Sequence, residues 1–184
     1  MWVYVRSVMS IAFASLAEPA RRLKPYPVNM PVDDQKTFYF AYGSNMSSAR
    51  LERRVGRVRC VGRGWLDDYC HQFSKHGTDG TAKGNVEPAR GERVWGVIYE
   101  LDPDQLDVLA TFETGYRPAS YTVQPHDDPA AAVRAASFEA LAVVRGIQPS
   151  PAYLHHYLAG LREHDIPRDY QRAILQGLDH ILPS

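Results

Sequence analysis

The sequence predicts a single α+β domain, because segments with the pattern of strands fill the middle of the chain and two helical segments end it. This order differs from the regular alternation of strands and helices in βαβ folds. A length of 184 residues suffices for one domain with a sizeable core and is short for two. The composition, 45% apolar and 23% charged, is typical of a globular protein.

Residues 1–36 are predicted to form an irregular N-terminal extension, with the domain proper at 37–184. Three prolines between 25 and 31 favour an extended chain there. The apolar run 7–17 resembles a signal peptide only weakly, because serines dilute it and a single positive charge precedes it. Two alternatives stay open for residues 1–29: a secretion signal, or an artefactual or variable extension.

The first half of the domain has the pattern of strands joined by short turns. The predicted strands occupy residues 37–42, 58–69, 71–74 and 94–101. The first ends at Gly43-Ser44-Asn45 and is followed by a short helix at 46–55. An Asp67-Asp68 turn and a glycine-rich loop at 77–84 are predicted between the later strands.

The next segment has helix signals at both ends. Asp102 is a natural N-cap, Pro103 occupies the first helical position, and Gln105 has the spacing of a capping box. Gly115 lies just past the expected end, where a left-handed cap is common. The segment therefore predicts a helix that ends close to residue 113.

Glu113 is the candidate acid–base residue. Leu106, Leu109 and Glu113 are spaced i, i+3 and i+7, so they share one helix face and the carboxylate is directed toward the core. Charged side chains are seldom buried without a partner, and a sheltered carboxylate suits proton transfer. A surface glutamate, or one paired with Arg117, is the alternative.

The second half predicts two more strands and two closing helices. The strands are expected at 121–123 and 138–144, separated by a linker at 127–136. One helix begins at Ser150-Pro151 and the other after Pro167. Their apolar stripes are interpreted as core packing: Leu154, Tyr157, Leu158 and Leu161, then Tyr170, Ile174, Leu178 and Ile181.

The segment 39–46, YFAYGSNM, is the most informative local pattern. A buried strand that ends in Gly-Ser-Asn before a helix presents free backbone N–H groups, which bind carboxylates and stabilise oxyanions. Gly43 would permit close backbone approach and a positive φ. An ordinary turn is the alternative, because these residue types dominate turns generally.

Charge and cysteine content narrow the expected partners. Lys and Arg (21) balance Asp and Glu (21), so nucleic acid is not an expected partner. The basic stretch 50–63 is interpreted as a solvated surface. No run reaches the roughly 20 apolar residues that span a bilayer, so no membrane partner is expected. Cys60 and Cys70 are too few for a disulfide framework and fit a cytoplasmic location.

Metal and nucleophile chemistry have little support in the sequence. His155 and His156 are adjacent on a helix and point in different directions, and Cys70, His71 and His76 lack a recognised ligand spacing, so no metal is expected. Ser44 is a poor nucleophile candidate because no Gly-x-Ser-x-Gly elbow surrounds it.

A series of segments resembles motifs of the γ-glutamylcyclotransferase family, which includes the AIG2-like proteins, in the order expected of that family. They are YFAYGSNM at 39–46, KGNV at 83–86, VWGVIYEL at 94–101, the helix ending at Glu113, and the C-terminal segments at 149–153 and 166–171. The resemblance runs from about residue 37 to 175. It implies the fold of that family, a mixed β-barrel-like sheet with flanking helices.

The resemblance also implies a reaction and its residues. The α-amine of a γ-glutamyl substrate attacks its own γ-carbonyl and releases 5-oxoproline, with Glu113 as general base and acid and with no metal or organic cofactor. A small γ-glutamyl compound is the implied partner, and a homodimer is compatible with the family. The implied substrate-binding residues are Tyr39, Phe40, Ala41, Tyr42, Gly43, Ser44, Asn45 and Tyr121.

Some residues depart from the family's pattern. Thr114 separates Glu113 from Gly115, and Val143 stands near a position where several members have a tyrosine that touches substrate. The loop also differs from the Y-G-S-L form of the glutathione-specific branch. Two alternatives therefore stay open: a γ-glutamyl hydrolase or transferase on the same scaffold, and a small-molecule-binding module without turnover.

Overall fold

The computed structural model describes residues 36–178. Residues 1–35 of the predicted extension, including the signal-like run, lie outside the described residues, and so does Ile181 at the end of the last apolar stripe. No helix within the described range is long and apolar enough to cross a membrane.

The described chain contains five strands, four α-helices and one short 3₁₀ helix. The strands are β1 (Thr37–Ala41), β2 (Arg59–His76), β3 (Ala82–Leu101), β4 (Tyr116–Pro125) and β5 (Val133–Ala140). The helices are α1 (Ser48–Val55), α2 (Pro103–Phe112), α3 (Pro151–Glu163) and α4 (Arg168–Gln176), and the 3₁₀ helix is Ser44–Met46.

The strands close into a barrel in the order β1-β3-β2-β4-β5. Neighbouring strands are antiparallel except for β1 and β5, whose parallel pairing at Tyr39 and Ala136 completes the barrel. The sheet is therefore mixed, and helices flank it. This architecture confirms the predicted α+β fold class with a mixed β-barrel-like sheet.

Alternation along the strands separates two hydrophobic clusters. The first, which we call the inner cluster, consists of strand residues plus Tyr42 and includes Phe40, Ile98 and Tyr121, as the interior of a closed barrel requires. The second, the outer cluster, combines strand residues such as Tyr39 and Tyr99 with residues of the helices. Because successive side chains of a strand point to opposite faces, neighbouring residues fall into different clusters.

The predicted turn at Asp67-Asp68 is wrong. Residues 59–76 form one long strand, and the pairing of β2 with β3 shifts register between Asp67 and Tyr69, where Asp68 has a φ of 63°. Asp68 Oδ1 accepts the Gly91 N–H at 2.8 Å, and Asp67 pairs with Arg93 of β3. Aspartate tolerates the left-handed conformation, so this sequence makes a bulge within the strand.

The other boundary corrections concern the loops. Ala82 already lies in β3, so the predicted glycine-rich loop shortens to a hairpin turn at 77–81. β5 begins at Val133, inside the predicted linker, and ends at Ala140, before the predicted end at 144. Alanine has a low strand propensity, which favoured a linker here. Residues Val133 to Ala136 nevertheless form a strand because they pair with β4.

The helix ends follow the predicted capping signals. Gln105 Oε1 accepts the Asp102 N–H at 3.0 Å, and Ser150 Oγ accepts the Tyr153 N–H at 3.2 Å. Gln105 also donates to the carbonyls of Val55 and Arg57, which fixes the start of α2 against the end of α1. These hydrogen bonds therefore hold α1 and α2 together.

Candidate active site

A cavity of about 220 Å³ opens where the loop after β1 meets the ends of α1, α2 and α3. Its polar lining comes from segments far apart in the chain. The charged and hydroxyl-bearing side chains that line it are Tyr39, Tyr42, Ser44, Arg50, Arg54, Lys75, Thr78, Lys83, Glu113, Thr114, Tyr116, Ser137 and Tyr153.

Glu113 is the acidic residue of this lining. It follows the last residue of α2 with φ −95° and ψ 44°, and the turn continues through Gly115, whose φ of 80° is the predicted left-handed conformation. Its side chain is only 13% exposed. Oε1 accepts hydrogen bonds from Asn45 Nδ2 at 3.0 Å and from Arg54 Nη1 at 2.8 Å. The carboxylate is thus sheltered and faces the loop after β1.

Arg54 is the cation that balances the charge of Glu113. Its Nη1 atom also donates to Asn45 Oδ1 at 3.0 Å, so the arginine, the asparagine and the glutamate form a closed triangle. The alternative pairing with Arg117 does not occur, because Arg117 binds Glu139 at 2.8 Å. The interpretation of the basic stretch 50–63 as a solvated surface is wrong for Arg54, which is 18% exposed.

The loop at 43–45 presents its backbone to the cavity. Gly43 has φ −115° and ψ −150°, so the expected positive φ is absent. The expected close approach of the Gly43 backbone to a neighbouring group is present, since a Cβ at Gly43 would lie 3.2 Å from the Tyr153 hydroxyl. Among the described residues, no backbone carbonyl accepts a hydrogen bond from the amides of Ser44 or Asn45. The Asn45 amide is therefore available to a ligand, whereas the Ser44 amide is directed at the Tyr153 hydroxyl.

Three tyrosines complete the polar wall of the cavity. Tyr153 Oη accepts the Gly84 N–H at 2.8 Å, and Tyr116 Oη donates to the Gly84 carbonyl at 2.6 Å. Tyr39 Oη accepts the Asn45 side-chain N–H at 3.0 Å. Burial raises the pKa of Tyr153 to about 12, although the Gly84 hydrogen bond lowers it. The phenol is therefore a hydrogen-bond donor at neutral pH.

The predicted substrate-binding residues divide into two groups. Tyr39, Tyr42, Gly43, Ser44 and Asn45 line the cavity. Phe40, Ala41 and Tyr121 are not among the lining residues.

Strand alternation explains why Phe40 and Tyr121 do not line the cavity, whereas Ala41 is covered by packing. Phe40 and Tyr121 belong to the inner cluster, and Ala41 is packed in the outer one. Tyr121 lies five positions after Tyr116, so the two side chains leave opposite faces of β4, and the hydroxyl of Tyr121 meets Glu139 at 3.2 Å. The expectation that Tyr121 lines the pocket is corrected in favour of Tyr116.

Comparison with known proteins identifies the relatives of the chain. A family model described as the AIG2-like family matches residues 93–174. The gamma-glutamylcyclotransferase of Homo sapiens is 27% identical over 158 residues, and that of Bos taurus is 26% identical over 151 residues. Both alignments cover 77% of this chain and 79% of the relative. These matches support the resemblance to the γ-glutamylcyclotransferase (AIG2-like) family that the sequence motifs indicate.

Solved structures share the family fold. The human protein loc79017 superposes with a TM-score of 0.70 at 22% identity, covering 82% of this chain and 90% of that one. A solved gamma-glutamyl cyclotransferase gives 0.68 at 22% identity, with 81% and 89% covered. YkqA from Bacillus subtilis gives 0.68 at 23% identity, covering 81% of this chain and 56% of its own. At these identities the likeness concerns the fold.

Several lining residues were not predicted as site residues. Lys83 and Tyr153 lie in segments that resemble the γ-glutamylcyclotransferase family. The motifs therefore pointed to these segments but assigned no function to either residue. Arg50 and Arg54 are four positions apart on α1, and that spacing signalled a shared face. No local sequence pattern in β2 indicated that Lys75 lines a cavity. Val143 stands near the position where several family members have a tyrosine that touches substrate. It follows the end of β5, is 49% exposed and does not line the cavity.

Proposed function

We propose that this protein is a γ-glutamylcyclotransferase, which converts a γ-glutamyl compound into 5-oxoproline and a free amine or amino acid without a cofactor. The single observation that carries the proposal is the Glu113 carboxylate, sheltered in the cavity and hydrogen-bonded to Asn45 of the loop at 3.0 Å. The names of the human and bovine relatives support the same reaction.

Glu113 is proposed to remove the proton that blocks the attacking amine. Oε1 already accepts from Asn45 and Arg54, whereas Oε2 accepts no hydrogen bond from the described residues. Oε2 is therefore the oxygen that can receive a proton from the substrate ammonium. The deprotonated amine then attacks the γ-carbonyl of the same molecule, and correct orientation of such an internal attack is worth roughly 7–11 kcal/mol.

The loop is proposed to stabilise the charge that develops on the carbonyl oxygen. The Asn45 amide has no carbonyl partner among the described residues, and the Tyr153 hydroxyl, at which the Ser44 amide is directed, is a second donor beside Gly43. Preorganised donors of this kind act in a sheltered site, where they are stronger than in water. Glu113 returns its proton to the departing nitrogen as the C–N bond breaks. The second proton, which the ring nitrogen loses as it becomes the lactam N–H, passes through Glu113 to the same amine, which leaves as an ammonium, so neither water nor net acid or base is consumed.

Incubation with γ-glutamyl dipeptides and γ-glutamyl amines tests the reaction type. The expected product is 5-oxoproline together with an equal amount of the free amine, measured by chromatography. Release of free glutamate would identify a hydrolase instead. Saturable binding without any product would identify a binding module.

Glu113→Gln tests the assigned role. We expect 5-oxoproline formation to fall by more than about a hundredfold while substrate binding persists, because the amide keeps the shape and loses the base. Calorimetric titration of the variant measures the binding. Glu92→Gln, at an exposed position of β3, is the matched control and should retain full activity. Comparable turnover in Glu113→Gln would overturn the acid–base assignment.

A further inference from the structure

The charges that line the cavity do not balance. Four cations line it, Arg50, Arg54, Lys75 and Lys83, against the single acid Glu113. Arg54 pairs with Glu113 at 2.8 Å, and Lys83 pairs with Asp79 of the β2–β3 turn at 2.8 Å. Two positive charges, on Arg50 and Lys75, remain without an acidic partner among residues 36–178.

Lys75 is the more deeply buried of the two. The residue is 6% exposed and forms neither a hydrogen bond nor an ion pair with the described residues; its Nζ atom lies 5.0 Å from the centre of the Tyr116 ring. A Cβ at Gly115 would lie 3.1 Å from the same atom, so the ammonium sits beside the turn that follows Glu113. Burial lowers the pKa of Lys75, and the charge of the nearby Glu113 opposes only part of this effect because the two side chains form no ion pair. A buried cation without a partner is costly unless a ligand supplies the opposite charge.

Arg50 is the second cation of the cavity without an acidic partner among the residues that the structure describes, and it comes from a different segment of the chain. It lies on α1, close after the loop at 43–45, and its Nε atom is buried with no hydrogen-bond partner in the described part of the chain. The Ser44 and Asn45 amides, which donate to no backbone carbonyl among the described residues, precede it in the sequence. Arg50 and these amides together suit the α-carboxylate of the glutamyl group. The partner of Lys75 is then a second negative charge, farther along the substrate.

We propose that Lys75 is a specificity-determining residue that binds a carboxylate on the departing amine of the substrate. The assignment rests on the proposed function, since it presumes that a γ-glutamyl group occupies the loop. The site then discriminates between γ-glutamyl compounds by the charge on the leaving portion. An amine without a carboxylate leaves the Lys75 ammonium buried and unpaired in the complex.

Two substrates that differ by one carboxylate test this assignment. γ-Glutamyl-alanine carries a carboxylate where γ-glutamylethylamide carries hydrogen, and both have the same glutamyl group. A hydrogen bond to a charged group predicts that the wild-type protein prefers the alanine compound by about 10- to 100-fold in kcat/KM and in binding affinity. Equal values for the two compounds would overturn the proposal.

Lys75→Met then identifies the residue responsible. We expect the variant to lose most of the preference for γ-glutamyl-alanine while its values for γ-glutamylethylamide stay near those of the wild type. Lys75→Arg, which keeps the charge, should retain part of the preference. Lys36→Met is the matched control, because Lys36 binds Asp102 and does not line the cavity. An equal loss for both compounds would place the glutamyl carboxylate at Lys75 and overturn the proposal, as would an unchanged preference.

Binding measurements separate this inference from the proposed function. Calorimetric titration of the same two compounds requires no turnover. If no 5-oxoproline forms and the binding preference still disappears in Lys75→Met, the cyclotransferase reaction fails and the role of Lys75 stands. If 5-oxoproline forms and the preference persists in Lys75→Met, the reaction stands and the role of Lys75 fails. Absence of binding by either compound counts against Lys75 as well.

Discussion

At the scale of single residues, Arg54 and Asn45 fix one oxygen of Glu113 and leave the other oxygen to the cavity. The spacing from Leu106 to Glu113 predicted that the carboxylate turns toward the core, and the family resemblance assigned its role. The identity of its partner was not predictable. Arg54 lies 59 positions earlier in the chain, and its sequence neighbours read as an exposed basic face.

Removal of the arginine tests how much this positioning contributes. We expect Arg54→Met to lower kcat for 5-oxoproline release by about 10- to 100-fold, because Glu113 loses a charge-assisted hydrogen bond. Arg54→Lys should restore part of the rate. Arg53→Met is the control, since Arg53 is exposed and, within residues 36–178, donates only to the Ala49 carbonyl of its own helix. Steady-state kinetics give the result, and an unaltered kcat in Arg54→Met would contradict the positioning role.

At the scale of elements, β3 supplies the support on which the tyrosines rest. Gly84 donates to Tyr153 and accepts from Tyr116, so one backbone position of β3 aligns two hydroxyl groups of the cavity. Sequence patterns predicted the C-terminal part of β3 and the caps of α2 and α3, because those signals are local. They did not predict the bulge at Asp68 or the early start of β3 at Ala82, since both depend on ladder pairing with β2.

A methyl group at Gly84 should disrupt this alignment. The Cβ of Gly84→Ala would lie 2.7 Å from His71 Nε2 and 2.9 Å from Tyr153 Oη, both closer than contact distance. We expect a loss of about 1–3 kcal/mol in the free energy of unfolding from overpacking, together with reduced 5-oxoproline release. Urea denaturation and activity assays measure the two effects. Gly177→Ala is the control, because its nearest neighbour is 3.4 Å away and its φ of −64° suits any residue; equal stability of both variants would exclude the clash.

At the scale of the whole molecule, the closed barrel is the feature least visible in the sequence. The resemblance implied it, but neither composition nor periodicity indicates that β1 and β5 pair in parallel at Tyr39 and Ala136. That pairing joins residues about half the chain apart. The alternation of side chains between the two faces of each strand, by contrast, depends on local sequence. It accounts for the separation of the inner and outer clusters.

His71 makes the stability of the whole fold depend on pH. The ring is buried next to Gly84, both nitrogens lack hydrogen-bond partners among the described residues, and burial lowers its pKa to about 3. The unfolded chain binds the proton near pH 6.5, so the contribution is complete above that pH and is lost as pH falls toward 3. Between pH 7.5 and pH 5, this group alone should remove about 2 kcal/mol of the free energy of unfolding.

Replacement of the ring tests that contribution. His71→Leu should reduce the pH dependence of urea denaturation over this interval, whereas His155→Leu, at an exposed position on α3, should leave it unchanged. The readout is the difference between the two pH values within each protein, which is insensitive to the packing cost of the substitution. An identical pH dependence in His71→Leu and the wild type would contradict the assignment.

The parallel pairing of β1 with β5 has a consequence for how the protein acquires its activity. Ser137 Oγ donates to the Phe40 carbonyl at 2.8 Å and Tyr42 donates to the Phe138 carbonyl, across separations of 97 and 96 positions. During synthesis on the ribosome, the loop that follows β1 emerges long before the strand that holds it. Contacts between such distant segments form slowly, because a long loop must close first. The candidate active site is therefore among the last parts of the nascent chain to form.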